Sequence, residues 1–170
     1  MDVAENGLNA GADLVRVSVR EDREADRLEI TIADNGRGIP KEKISQVLDP
    51  FYTTRTTRRV GLGLSLFREA SRRCEGTFQV QSEEGEGTEV TASFRLSHID
   101  LPPLGDVAGT LVALIAGNGQ ADFVYTHEVD GRRFELDTRA IRRELEDVPL
   151  HHPEVIRYVT RTIREFLAER

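Results

Sequence analysis

The sequence predicts an α+β fold, arranged as a two-layer sandwich in which helices cover one face of a mixed, mostly antiparallel sheet. Two observations predict the layers. Residues 14–20 and 28–33 alternate apolar and polar side chains, as half-buried strands do. Residues 62–74 instead carry apolar side chains at helical spacing, which is typical of a helix lying on a sheet.

The first part of the chain has a simple predicted order of elements. A helix precedes two strands, a proline opens a short helix, a loop without periodicity follows, and a longer helix leads to two more strands. The segments are, in order, helix 2–12 broken at Gly11, strands 14–20 and 28–33, helix 41–48 after Pro40, loop 49–60, helix 62–74, and strands 77–81 and 89–96.

A proline pair, Pro102-Pro103, marks a change in composition and interrupts helix and strand alike. It predicts a division into one domain over residues 1–98 and a small α+β C-terminal extension of unknown role over residues 99–170. The extension reads as helix 106–116, strands 123–129 and 133–136 joined by the hairpin turn Asp130-Gly131, and a final helix after His152-Pro153.

The final helix carries one apolar stripe at helical spacing: Val155, Val159, Ile163, and Phe166 or Leu167. Such a stripe packs either against its own chain or against a second subunit. We expect the first, and a homodimer is the alternative.

Composition excludes some partners. The net charge is −7 and the pI is near 5.2, whereas phosphate backbones and anionic membranes attract concentrated positive charge. The single cysteine, Cys74, cannot form an internal disulfide, and we expect it in the core. The longest apolar run, 107–116, falls short of the roughly 20 residues that span a bilayer. We therefore expect a cytoplasmic protein that binds neither nucleic acid nor membrane.

The most informative segment is Asp34-Asn35-Gly36-Arg37-Gly38-Ile39. Asp34 follows a strand, so its carboxylate is expected to project into a cavity, while Gly36 and Gly38 let the backbone approach a flat ligand. A carboxylate accepts a hydrogen bond from the amino group of adenine but repels the carbonyl of guanine. The segment therefore predicts ATP binding in preference to GTP. An ordinary turn is the alternative, and the motifs that follow in order weigh against it.

Asp2 and Asn6 lie four residues apart and share one face if this segment is helical. An amide oxygen suits Mg²⁺, which takes its other ligands from water and substrate phosphates. Asn6 is thus the candidate magnesium ligand. Asp2 is the candidate catalytic residue, placed to orient or deprotonate a water or a hydroxyl acceptor; the alternative is a helix cap.

Two segments are candidate phosphate binders. Gly61-Leu62-Gly63-Leu64 precedes a helix, where exposed backbone N–H groups favour phosphate. Thr53, Thr54 and Arg55 lie on a predicted lid, where hydroxyls and a guanidinium fork can reach phosphate oxygens. For the neighbouring Arg58 and Arg59 a solvated basic loop remains the alternative.

Thr88 follows Gly87 at the start of a strand, where its hydroxyl is expected to support Asp34 or a water that touches adenine. The histidines lack the spacing of a metal cluster, so we expect each to be solvated or to cap a helix. They are His98, His127, His151 and His152.

Together these residues resemble the Bergerat-fold (GHKL) ATP-binding superfamily, which includes gyrase, MutL, Hsp-class chaperones, anti-sigma-factor kinases and histidine kinases. The resemblance covers about residues 2–96. Its four boxes match Asp2-x-x-x-Asn6, Asp34-x-Gly36-x-Gly38, Gly61-Leu62-Gly63-Leu64 and Gly87-Thr88. Residues 49–55, Asp-Pro-Phe-Tyr-Thr-Thr-Arg, look like the lid of histidine kinases.

The resemblance implies an ATP- and Mg²⁺-binding, histidine-kinase-like catalytic module, similar to short stand-alone bacterial proteins. Such a module would transfer the γ-phosphate to an unidentified protein acceptor, as a histidine kinase or an anti-sigma-factor kinase does. Hydrolysing members place Glu where this chain has Asp2, so slow hydrolysis is expected. The alternative is a nucleotide-gated module that regulates a partner, or a slow ATPase, without phosphotransfer.

Overall fold

The computed structural model describes residues 1–48, 62–146 and 148–169. It contains, in chain order, α1 (Asp2–Asn9), β1 (Leu14–Asp22), β2 (Arg27–Asp34), a 3-10 turn (Lys41–Lys43), α2 (Ile44–Val47), α3 (Leu62–Arg73), β3 (Phe78–Glu83), β4 (Gly87–Arg95), α4 (Val107–Gly117), β5 (Asp122–Val129), β6 (Arg132–Asp137), α5 (Thr138–Leu145) and α6 (Pro153–Ala168). The predicted loop 49–60 lies outside the described residues.

In the part of the chain that the structure describes, six strands form one sheet in the order β3-β4-β2-β1-β5-β6. Every neighbouring pair is antiparallel except β1 and β5, which run parallel. The prediction of a mixed, mostly antiparallel sheet is therefore confirmed.

The two faces of this sheet differ sharply in polarity. Val15 and Val19 of β1 are buried, and Phe123 of β5 is completely so. Arg16 and Arg20, which point to the opposite face of β1, are exposed. The helices pack on the apolar face and form one hydrophobic core with it, so the predicted two-layer α+β sandwich is confirmed.

The sheet runs without a break across the predicted boundary between residues 98 and 99. β5 pairs with β1 over eight positions, from Leu14 opposite Asp122 to Glu21 opposite Val129. The N–H of Asp122 also donates to the carbonyl of Asp13, at 2.8 Å. The division into two domains stays a prediction, whereas the shared sheet is a structural fact that the sequence did not suggest.

The apolar stripe of α6 is covered by its own chain, as expected. Val155, Val159 and Ile163 are buried, and α6 packs against α4. Phe166 stacks on Phe134 of β6 with ring centroids 5.1 Å apart. Hydrophobic burial of this helix therefore holds the extension on the sheet.

The expectation for the histidines was right for His152 and wrong for His127. The His152 side chain caps α6 by accepting from the N–H of Glu154, at 3.3 Å. His127 is instead completely buried. Its Nε2 lies 2.9 Å from Glu21 Oε1 and its Nδ1 2.6 Å from the Tyr125 hydroxyl. Two polar partners from the same face of the sheet make that burial tolerable.

Helix α5 was missed at the sequence level. The Asp137 carboxylate accepts from the N–H of Arg139, at 2.9 Å, which is an N-cap contact. Thr138 and Ile141 then turn toward the core. An aspartate at the N-cap followed by inward-facing side chains three residues apart, at positions 138 and 141, is the sequence signal that would have predicted this helix.

Cys74 is fully buried, as predicted for a small core residue. Among the described helices, none combines the length and the apolar character needed to cross a membrane.

Candidate functional site

The candidate site is built around Asp34, the last residue of β2. Its register neighbours are Val15 on β1 and Thr88 on β4, so the carboxylate lies in the middle of the sheet, at a strand end. Asp34 is partly buried, and its Oδ1 accepts from the N–H of Gly36 at 2.9 Å. Burial raises the pKa of this carboxyl above its usual value, against the opposing effect of the N–H groups of Gly36 and Thr88.

Helix α1 touches Asp34 through Gly7, a residue for which the sequence predicted no role. A Cβ atom at Gly7 would lie 2.5 Å from the Asp34 Cβ and 2.7 Å from its Oδ2. Real Cβ atoms do not approach so closely, so only glycine lets the helix lie directly on the carboxylate. A glycine inside a helical segment beside the Asp2-x-x-x-Asn6 box was the available signal.

Glycines also fix the backbone around Asp34. Gly87 has φ +117°, and a Cβ there would lie 2.0 Å from the Asp34 carbonyl oxygen. Gly38 has φ +68°, and a Cβ there would lie 1.9 Å from the Glu83 carbonyl oxygen. The segment after Asp34 thus crosses the β3–β4 turn at a distance that only glycine allows. Gly38 was predicted to let the backbone approach a flat ligand; the structure shows its close approach to the β3–β4 turn instead, and its role toward a ligand stays a prediction.

A partly buried hydroxyl, that of Ser82, joins these segments. Ser82 Oγ accepts from the N–H of Ile39 at 2.8 Å and donates to the carbonyl of Gly87 at 2.7 Å. The Thr88 hydroxyl lies 2.9 Å from Ser82 Oγ. Because the Ser82 proton is used on Gly87, Thr88 donates to Ser82, and its lone pairs remain for a ligand or a water. Ser82 was not singled out from the sequence, since one serine at a strand end carries no local signal.

The other end of α1 lies against the second glycine motif. A Cβ atom at Gly63 would lie 2.7 Å from the Asp2 Cβ, so the start of α1 and the start of α3 are in contact. Asp2 and Asn6 are both exposed on α1. Gly7 is five residues beyond Asp2, or about 7.5 Å along the helix axis. One short helix therefore connects the surroundings of Asp34 with the N-terminus of α3.

The structure brings some predicted site residues together and does not describe others. Asp34, Gly36, Gly38 and Thr88 meet at one end of the sheet, and Asp2, Asn6 and Gly63 lie along α1. Leu64 is buried in the core, so its backbone alone is available to a ligand. Four predicted residues lie outside the described part of the chain: Thr53, Thr54, Arg55 and Gly61. For Leu62 the backbone alone is described.

A comparison with family models decides the relationship. The model described as histidine kinase-, DNA gyrase B-, and HSP90-like ATPase matches residues 1–98. The chain belongs to this family. The match covers every predicted site residue.

Relatives of this chain include bacterial sensor kinases. The non-motile and phage-resistance protein of Caulobacter vibrioides is 33% identical over 96 residues, covering 54% of this chain and 11% of that protein. The sensor histidine kinase YxdK of Bacillus subtilis is 40% identical over 73 residues, covering 41% of this chain and 22% of that protein. The chain thus spans less than a quarter of the length of these relatives.

A solved structure agrees on the fold. The N-terminal domain of a DNA repair protein aligns with a TM-score of 0.52 and 15% identity, covering 80% of this chain and 50% of that one. At this identity the likeness concerns the fold alone. By its family match the chain is a GHKL ATPase module, and its sequence relatives include a sensor histidine kinase.

Proposed function

We propose that this protein binds ATP with Mg²⁺ and transfers the γ-phosphate to a protein partner, in the manner of a histidine-kinase catalytic module. The observation that carries the proposal is the partly buried Asp34 carboxylate, held at a strand end against Gly7 and beside Gly87. Gly7, Gly36 and Gly87 let α1 and the neighbouring backbone close around this one acid, and its carboxylate is the proposed contact for a ligand. The family match over the same residues supports ATP as this ligand.

Asp34 is the proposed adenine acceptor. Its ionised form can accept a hydrogen bond from the exocyclic amino group, and its raised pKa reflects a site that excludes part of the solvent. Thr88, one strand away, offers a lone pair to the base or to a bridging water. We propose that these two groups favour adenine over guanine, because the carboxylate accepts from the amino group of adenine and repels the carbonyl of guanine.

The triphosphate is proposed to run along α1 toward α3. The N-terminal N–H groups of α3, at Gly63 and Leu64, favour negative charge. Gly61, Leu62, Thr53, Thr54 and Arg55 are proposed to contribute as the sequence predicted. The family resemblance and the position of α3 support this direction.

The residues of α1 fit a magnesium ion held mainly by the nucleotide. Among the described residues, no three His, Cys, Asp or Glu side chains are grouped as metal ligands, and Mg²⁺ bound to ATP needs few protein ligands. The exposed Asn6 amide supplies one oxygen, and the ion would neutralise phosphate charge. Asp2, one turn earlier and in contact with Gly63, is proposed to orient the acceptor hydroxyl or a water.

Replacing Asn6 with Ala should remove the magnesium dependence of ATP binding. We expect Mg²⁺ to raise the ATP affinity of the wild type by about tenfold, or about 1.4 kcal/mol, and that of Asn6→Ala by less than about twofold. Calorimetric titration with and without a chelator measures both. Asn9→Ala, an exposed asparagine on the same helix, is the control and should retain the full effect. A full magnesium effect in Asn6→Ala would remove Asn6 from the site.

A second candidate function is a nucleotide-gated module that regulates a partner without phosphotransfer. The shared sheet favours it, because β1 pairs with β2 on one side and with β5 of the extension on the other. A change at the nucleotide site thereby has a direct route to the extension. Such gating requires only that ATP favour one conformation over another.

Labelled phosphate separates the two functions. The protein is incubated with γ-labelled ATP, Mg²⁺ and a bacterial lysate, with Asp34→Asn as the inactive control and Asn9→Ala as the active one. Label on a protein that appears with the wild type and Asn9→Ala alone supports phosphotransfer. ATP binding without any protein label contradicts phosphotransfer and leaves the gated module.

A further inference from the structure

Asn35, the residue after Asp34, binds a distant segment with its side chain. Its Oδ1 accepts from the N–H of Asp13 at 3.1 Å and from that of Leu14 at 3.0 Å. Its Nδ2 donates to the Asp13 carboxylate at 2.6 Å, and its backbone N–H donates to the Leu14 carbonyl at 3.3 Å. One exposed side chain thus makes three hydrogen bonds to a segment more than 20 residues earlier in the chain.

This arrangement differs from an ordinary Asp-Asn-Gly turn. In such turns the side chains bond to the backbone a residue or two away, and here only Asp34 does so, through Gly36. Asn35 instead joins the end of β2 to the start of β1. Within the turn the Asp34 carboxylate accepts from the N–H of Gly36, and the N–H of Thr88 on β4 also acts on it. The direction of the carboxylate therefore depends in part on where the turn is held.

Asp13, the partner of Asn35, is itself fixed by the extension. Its carbonyl accepts from the N–H of Asp122 at 2.8 Å. The Asp122 carboxylate accepts from the Thr138 hydroxyl at 2.9 Å and from Arg142 Nε at 2.8 Å. A continuous chain of hydrogen bonds therefore runs from α5 to the residue beside Asp34, and Asp13 is a fixed anchor rather than part of a loose loop.

We propose that Asn35 is a specificity-positioning residue: its amide clamps the turn to Asp13 and Leu14 so that the Asp34 carboxylate meets the amino group of adenine. This inference rests on the proposed role of Asp34 in ATP binding. Asn35 does not touch the base. It determines how much of the amino-group contact the site obtains, and Asp13, which it clamps, is hydrogen-bonded to Asp122 of the extension.

The test compares ATP with purine riboside triphosphate, which lacks the exocyclic amino group. The ratio of the two affinities reports the amino-group contact and does not depend on the fraction of folded protein. We expect Asn35→Ala to lower this ratio about tenfold, the usual effect of one misplaced hydrogen bond. Asn9→Ala should leave the ratio unchanged.

A reciprocal exchange provides a second variant in case Asn35→Ala folds poorly. Asn35→Asp alone places two carboxylates against each other and should lower the ratio. Adding Asp13→Asn restores the donor and acceptor on opposite sides of the same contact, and we expect the double variant to recover the ratio to within about threefold of the wild type.

Three results separate the possibilities. A wild-type ratio in Asn35→Ala, or an equal loss of both ligands, would mean that Asn35 only stabilises the fold, and the inference would be overturned. Failure of the double variant to recover the ratio would overturn the clamp to Asp13. If the wild type itself shows no preference for ATP over the purine analogue, the proposed role of Asp34 fails first.

Discussion

Asp34→Asn is expected to weaken ATP binding by about 100-fold while the fold stays intact. The variant keeps an acceptor for the N–H of Gly36 but loses the negative charge and presents an amide donor to the adenine amino group. A lost charged hydrogen bond plus an unsatisfied donor costs about 3 kcal/mol, which is about a 100-fold loss of affinity. Calorimetric titration with Mg²⁺–ATP measures it, and Asp100→Asn, an exposed aspartate, is the control.

The same variant should be at least as stable as the wild type in the absence of nucleotide. Burial raises the pKa of Asp34 in the folded state, so the ionised carboxylate opposes folding. The folded protein binds the proton more tightly than the unfolded chain, and wild-type stability therefore falls as pH rises through the interval between the unfolded and folded pKa values. Above that interval Asp34→Asn should melt at or slightly above the wild-type temperature, and at lower pH the difference should vanish.

The ATP affinity of the wild type should rise with pH over the same interval in which its stability falls. Since the ionised carboxylate accepts from adenine, lowering the pH through the raised pKa of Asp34 should weaken ATP binding by the wild type.

Undiminished ATP affinity in the Asp34→Asn variant would refute the adenine assignment. A melting temperature lowered by more than about 5 °C would mean that Asp34 is a structural residue.

Gly87→Ala is expected to have the largest effect on stability. A Cβ at this position would lie 2.0 Å from the Asp34 carbonyl oxygen and 2.9 Å from the Asn35 Cα, so the end of β2 must separate from β4. The positive φ of Gly87 adds backbone strain for any other residue. We therefore expect the free energy of unfolding to fall by about 3 kcal/mol or more and Tm by roughly 6 to 12 °C. Thermal melting measures the loss.

Gly85→Ala is the matched control for this prediction. Gly85 lies in the same turn and also has a positive φ, +87°, but a Cβ there meets nothing within 4 Å. The free energy of unfolding of Gly85→Ala should fall only by the conformational cost of a left-handed backbone, about 1 to 2 kcal/mol. Equal melting temperatures for the two variants would contradict the close contact between Gly87 and Asp34. In addition, the folded fraction of Gly87→Ala should bind ATP more weakly than Gly85→Ala does.

The parts of the fold that the sequence predicted depend on local patterns. The alternation in β1 and β2 and the helical spacing in α3 are visible within single segments, because each element must show one apolar face to the core. Asp34, Gly36 and Gly38 form a contiguous motif, so their meeting at one strand end needed no long-range information. The Asp130-Gly131 turn likewise specified the β5–β6 hairpin by its own chemistry.

The parts that the sequence did not predict depend on contacts between distant segments. Parallel pairing of β1 with β5 follows from which strand edge is open, and no local pattern encodes that choice. His127 carries a polar side chain at a position that alternation already placed inward, and its burial depends on Glu21 being its neighbour across the sheet. The roles of Gly7, Asn35 and Ser82 appear only once α1, β1 and the β3–β4 turn surround Asp34.

The central claim is that one pocket around Asp34 binds ATP by its adenine base. Calorimetric titration of the folded wild-type protein with Mg²⁺–ATP and, in parallel, with Mg²⁺–GTP tests it most directly. We predict one ATP site per chain and an affinity for GTP that is lower by about 100-fold or more. No heat with Mg²⁺–ATP, or equal affinity for the two nucleotides, would contradict the claim.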